Sequence, residues 1–202
     1  MNQMKKFFLF LLIISLISIP ILYLFAKETY LYLAPMQLSM LFLALFLLFE
    51  KDLQTTLKKV GFPGNLKSNL LYFALGIIIL FALLLALGAF SLLLGINDQT
   101  KVASKVEAIP LLQLIVFASL LAPICEEFLF RGFLQNRFGI LISAIIFSLL
   151  HFGYGSVSEI LGTFAIGLFL SVLRQKSNSI TPGILIHMVY NFLAIIFMRF
   201  FL

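Results

Sequence analysis

Apolar residues run along this chain in long blocks separated by short polar stretches. Phe7–Ala26 is one continuous apolar block with Pro20 inside it, and Lys27 and Glu28 close it with a tight turn. Tyr30–Phe49 and Leu70–Leu94 follow. Then come Leu111 to about Leu134, Ile140–Phe152, Val157–Leu173 and Pro182 to about Arg199. A membrane-spanning helix needs about 20 apolar residues, so most of these blocks are long enough to cross a bilayer. Ile140–Phe152 is too short to span alone and is expected inside a bundle, shielded by longer neighbours. The predicted fold is an all-α, polytopic membrane helix bundle of about seven transmembrane segments.

The polar stretches read as connections. Glu50–Asn69 carries Lys51, Lys58, Lys59 and Lys67, and its Gly61-Phe62-Pro63-Gly64 is a turn signal. Gly95–Ile109 is a second polar loop, and Pro110 suits the first turn of the helix after it. Gly153-Tyr154-Gly155 is a turn, and Arg174–Ser179 is a third loop. The chain is read as a single membrane domain over residues 1–202. Residues 1–110 hold three spans and their loops, and residues 111–202 hold the polar motifs. A secretory signal has the Lys5-Lys6-then-apolar order of the N-terminus, but its apolar core is usually about 7–15 residues. The first block is therefore expected to be a retained span.

Composition agrees. Of 202 residues 62% are hydrophobic and 11% charged, against roughly half and a quarter in soluble domains. The net charge of +6 is scattered between spans and forms no basic face, so nucleic acid is excluded as a partner. The lipid bilayer and a membrane peptide or protein are the partners expected. With an inside N-terminus, Lys5, Lys6, Lys51, Lys58, Lys59, Lys67, Arg131, Arg137, Arg174 and Lys176 lie inside, and Lys27, Lys101, Lys105 and Arg199 outside. This bias predicts a cytoplasmic N-terminus. Cys125 is the single cysteine, which rules out an intrachain disulfide. It reads as small apolar filler rather than a nucleophile.

One stretch breaks the apolar pattern at a cost. Leu121–Gly139 places Glu126, Glu127 and Arg131 in an otherwise apolar segment. A charge at a membrane helix centre costs roughly 2.5–3.5 kcal/mol, so these groups must face other helices or a wet cavity. Glu127 and Arg131 are four apart, on one helix face, and can pair. Glu126 is about 100° round from Glu127 and stays free for chemistry. Pro123 removes one backbone donor, and a kink there would open space near Glu126. The two histidines also sit in apolar helices. His151 follows Phe147 by four, and His187 precedes Asn191 by four, sharing its helix face. By helix rise, Glu126 lies ~15 Å in from Asn136, His151 ~18 Å from Gly139 and His187 ~9 Å from Thr181. All three are measured from the cytoplasmic side, so they can converge there or near the midplane.

A carboxylate and an imidazole can hold and deprotonate water. A second imidazole with a carboxamide can stabilise an oxyanion. Together they suit peptide hydrolysis without a covalent intermediate. The same residue types could hold zinc, with Glu126, His151 and His187 as ligands, but the H-E-x-x-H pair of zinc proteases is missing. A water-only site is preferred, with no certain cofactor.

The order Glu126-Glu127-x-x-x-Arg131, Phe147-x-x-x-His151, His187-x-x-x-Asn191 resembles the CAAX protease and bacteriocin-processing (CPBP, or Abi) family of intramembrane proteases. The phrase Ser179–Asn191 is also similar to that family's last motif region. The resemblance covers about Ile115 to Ile196 and implies a CPBP-like catalytic core in residues 111–202. It implies Glu126 as general base on water with His151 as partner, Glu127 held by Arg131 and shaping the site, and His187 and Asn191 stabilising the oxyanion. It also implies an integral membrane protein of the bacterial cytoplasmic membrane. The family is often called a metalloprotease family, although a metal-free glutamate mechanism has also been proposed for it. Two other classes compete. A non-catalytic immunity or regulatory scaffold would tend to lose motif residues, and none is lost here. A proton-relay transporter would favour inverted repeats, and none is visible.

Cysteine-accessibility labelling checks the topology. A tag at the N-terminus is expected on the cytoplasmic side and the Gln99–Lys105 loop outside; an external tag overturns it.

Overall fold

A computed structural model describes residues 2–202, and among these every regular element is helical. Helix α1 (Gln3–Ala26) starts where the Asn2 side chain accepts the Met4 amide at 2.9 Å. A 3₁₀ turn, Lys27–Thr29, reverses the chain. Helix α2 (Leu33–Leu48) packs back along α1, with Phe8 edge-on to Phe49 at 5.7 Å. Asp52 caps α3 (Leu53–Lys59), which is bent 98° from α2. Asn65 caps α4 (Leu66–Leu93), and α5 (Thr100–Glu107) follows. Helices α3 and α5 lie in stretches expected to be plain loops. Both are short, and α5 buries only Val102, Ala103 and Val106.

The motif-bearing part begins with α6 (Leu111–Gln113), π1 (Leu114–Leu121), α7 (Ala122–Glu127) and π2 (Phe128–Leu134), the two π segments being π-helical. Helix α8 (Gln135–Leu149) runs into a 3₁₀ turn, Leu150–Tyr154. Helices α9 (Val157–Ser177) and α10 (Thr181–Phe201) complete the chain. Around Pro123, where a kink is expected, the bonding changes from π- to α-helical.

By length and composition five helices can cross a membrane, or six if α2 and α3 form one broken span. The seven expected segments are all helical, but the fourth and fifth merge into a single stretch of 44 residues, Leu111–Tyr154. A straight helix of that length would reach ~66 Å, about twice a hydrocarbon core of ~30 Å. It is not straight. Gly139 takes φ 86 and ψ 173, a region that favours glycine. Ser143 Oγ on α8 then donates to Phe130 O on π2 at 2.9 Å, so α8 folds back on π2.

Apolar burial follows this hairpin. Ala44 and Leu48 of α2 meet Phe128, Phe130, Phe147, Ile180 and Ile184 in one core. A second core joins Leu80 of α4 to Ile166, Leu170 and Ile186. Phe10, Ile17, Leu24, Leu85 and Leu93 remain exposed on the outer helices, as a lipid-facing surface requires. The α3–α4 loop docks on the start of α10. Ser179 Oγ donates to Gly61 O and Thr181 Oγ1 to Pro63 O, each at 2.7 Å. Gly61, at φ 71, lies against the Asn178 backbone where no Cβ fits.

The start of α9 is fastened from outside. Asp98, before α5, accepts from Val157 N at 2.6 Å, Ser158 Oγ at 2.6 Å, Ser156 Oγ at 2.9 Å and Ser158 N at 3.2 Å. Lys101 Nζ donates to Gly155 O at 3.2 Å, and Lys105 Nζ donates to Gly153 O. Helix α5 is thereby held against the turn that follows His151. The Ser158 hydroxyl, with the other donors, keeps the Asp98 carboxyl well below the usual carboxylate range. The sign follows from that depression. The stabilisation is fully present above the unfolded value near ~3.9 and is lost as pH falls through the lower folded value. Asp98→Asn should cost about 0.5–2 kcal/mol at pH 7, the range of an N-cap. In detergent thermal unfolding its gap from wild type should shrink below pH ~4; a gap constant down to pH ~2 contradicts this.

Candidate active site

Helix α7 brings Glu126 and Glu127 inward between two π segments. Such segments are rare and occur often at functional sites. Glu127 and Arg131 are both 0% exposed, Glu126 is 8% and His187 3% exposed. As the i,i+4 spacing requires, Arg131 Nη1 lies 2.9 Å from Glu127 Oε1. That approach is a charge contact, without hydrogen-bond alignment. Arg131 Nη2 donates to Gly167 O on α9 at 3.3 Å, and its guanidinium carbon sits 4.5 Å over the Phe147 ring. A carboxylate only accepts, so His187 Nδ1–H donates to Glu127 Oε1 at 3.1 Å. That leaves His187 Nε2 facing Glu126 Oε2 at 3.8 Å. Four groups from α7, π2 and α10 thus form one buried chain, Arg131·Glu127·His187·Glu126. Gly183 makes room for it, since a Cβ there would come within 3.2 Å of Glu127 Oε2.

His151 and Asn191 are placed differently. His151 Nδ1 is 2.9 Å from Phe147 O, a carbonyl that can only accept, so Nδ1 carries a proton, and in the neutral ring Nε2 is the acceptor. Asn191 Nδ2 donates to Ala118 O on π1 at 2.8 Å. Both residues line a cavity of ≈ 180 Å³, with Lys105, Tyr154, Glu159 and Tyr190 on its wall. Neither hydrogen-bonds to the buried charge chain. The Phe147 ring packs against both imidazoles, 5.0 Å from the His151 ring and 5.8 Å from the His187 ring. The structure therefore gives Glu126 a nearest imidazole in His187, where His151 was expected. It also turns Asn191 from its helix neighbour His187 toward π1.

Several residues here carried no sequence assignment. Gly167 offers its carbonyl to Arg131. Glu159 faces the cavity, although Ser156-x-x-Glu159 reads as a capping box in which the glutamate would reach back to the helix start; Asp98 serves that end instead. The capping signature was visible, but its replacement by a residue 58 positions upstream was not. Among the described residues no three of His, Cys, Asp and Glu form a group able to hold a metal ion. Glu126, His151 and His187 as arranged do not fit zinc.

Removing one member of a buried ion pair costs about 3–5 kcal/mol, because the other charge is stranded. Arg131→Met should therefore destabilise strongly in detergent unfolding. The Glu127→Met/Arg131→Met double variant should cost less than Arg131→Met alone, and a larger cost would contradict the pairing.

The sequence matches the family model described as type II CAAX prenyl endopeptidase Rce1-like over residues 108–193, a stretch that contains all three motifs. It is 33% identical over 88 residues to the "Uncharacterized 24.3 kDa protein" of Escherichia coli, covering 39% of this chain and 41% of that one. It is 29% identical over 107 residues to UPF0177 protein YaiF of Lactococcus lactis subsp. lactis (strain IL1403), covering 50% and 48%. The chain spans less than half the length of these curated relatives. No solved structure matches it. By motif order and by this match, the chain resembles the CPBP (Abi) family of intramembrane proteases.

Proposed function

We propose that this protein is an intramembrane endopeptidase that hydrolyses membrane-associated peptides or proteins with a water molecule activated by Glu126. The supporting observation is the buried chain Arg131·Glu127·His187·Glu126 beside a cavity lined by His151 and Asn191. A bundle this apolar holds such groups only where they partner one another or reach water. The bacterial relatives fit a location in the bacterial cytoplasmic membrane.

In this reading Glu126 takes a proton from water while the oxygen attacks the scissile carbonyl carbon. His151 Nε2, with its lone pair free, holds the same water from the cavity side. The carbonyl π electrons move to oxygen, and the resulting oxyanion is stabilised by the free N–H of Asn191; His187 adds to this only in its doubly protonated form, in which Nε2–H donates. Glu127 fixes the His187 ring through Nδ1, so Nε2 is the atom presented to the reaction. The proton taken by Glu126 passes to the departing amine as the C–N bond breaks, leaving a carboxylic acid and an amine. Arg131 keeps Glu127 in place and does not touch substrate. No metal takes part; stoichiometric zinc in purified protein, with activity lost to chelator and restored by zinc, would replace this mechanism.

The test is cleavage of a membrane-peptide library by purified protein in liposomes, read by mass spectrometry. Glu126→Gln should be close to inactive. Asn191→Ala should be slower by roughly 10²–10³ yet measurable, as for loss of an oxyanion donor. Both should insert and fold. Full activity in Glu126→Gln would move the assignment to a non-catalytic immunity or regulatory scaffold of the same fold.

A further inference from the structure

We propose that Pro123 is a positioning residue that acts through Asn191, by leaving one backbone carbonyl of π1 for the asparagine to bind. The catalytic consequence rests on the proteolytic reading above; the structural part does not.

In a π-helix each amide donates to the carbonyl five residues back. The last such bond of π1 runs from Ala122 N to Phe117 O. The next would run from residue 123 to Ala118 O, and proline has no N–H. Ala122, the donor for an ordinary α-helical bond to Ala118 O, is already committed to Phe117. Ala118 O is therefore orphaned within its own helix, at a half-buried position in an apolar bundle. A backbone carbonyl left so is costly. Asn191 Nδ2 fills the need at 2.8 Å from α10. One turn of α10 earlier, Ser119 Oγ donates to Met188 O at 3.2 Å, so the two helices are laced together at this level.

The consequence lies in the rest of the carboxamide. Its nitrogen carries two N–H donors in one plane. With one held on Ala118, the plane is set and the second donor stays uncommitted, on a residue that lines the cavity His151 shares. A donor oriented before the reaction is what makes oxyanion stabilisation effective. Pro123 thus does more than begin α7, where proline is ordinarily welcome.

A double-mutant cycle over Pro123→Ala and Asn191→Ala tests this. Alanine restores an amide at position 123 that competes for Ala118 O. Asn191→Ala should lower the thermal midpoint in detergent clearly in the wild-type background and much less in the Pro123→Ala background. In the peptide assay, Pro123→Ala should lower kcat about tenfold or more with KM within about twofold, and add no further loss to Asn191→Ala. Additive midpoint changes, or unchanged kcat in Pro123→Ala beside a slow Asn191→Ala, overturn the proposal. If wild type cleaves nothing, the proteolytic reading fails and the midpoint cycle still decides the Pro123–Asn191 coupling. Pro123→Ser supplies the same amide and runs the same cycle if the alanine variant does not insert.

Discussion

Two opposite charges with no solvent exposure, Glu127 and Arg131, constrain everything around them. Taking either out of water costs several kcal/mol, recovered only with close partners and further hydrogen bonds. Those partners come from separate helices. Gly167 on α9 gives a carbonyl, Phe147 on α8 an aromatic face, and His187 on α10 an N–H. Gly183 gives space. The second half of the chain can satisfy this pair only by closing around it, and that closure carries Glu126 and His187 to within 3.8 Å.

The backbone is irregular where this geometry is made. Two π segments flank the glutamates, Gly139 turns α8 back on π2, and Asp98, just before α5, fastens the start of α9. Each departure from regular helix leaves or redirects a backbone group, and a side chain from elsewhere meets it. Asn191 on Ala118 O and Ser143 on Phe130 O are examples. In lipid this accounting is strict, because no solvent is at hand to satisfy what the helix leaves open.

Much of the helical content was legible in the apolar blocks, because lipid and core both demand them. The 7-residue α3 and the 8-residue α5 were not, since short amphipathic helices look like charged loops. The Glu127–Arg131 contact was legible because it is local and follows helix spacing. The His187–Glu127 contact bridges 60 residues, and no periodicity encodes it. Motif order named a set of polar residues but left their pairing open, and His187, not His151, is the imidazole nearest Glu126. The π-helical bonding was hidden for a different reason: apolar residues satisfy α- and π-helices alike. Pro123 marked the place without revealing the form.

The central claim is that water, activated by side chains of this buried network, attacks the peptide bond directly. Cleavage of a membrane peptide in ¹⁸O-labelled water containing hydroxylamine tests it most directly. The account predicts one ¹⁸O in each new carboxylate and no hydroxamate. A hydroxamate product would reveal a trapped acyl-enzyme, and with it a nucleophilic side chain in place of the water.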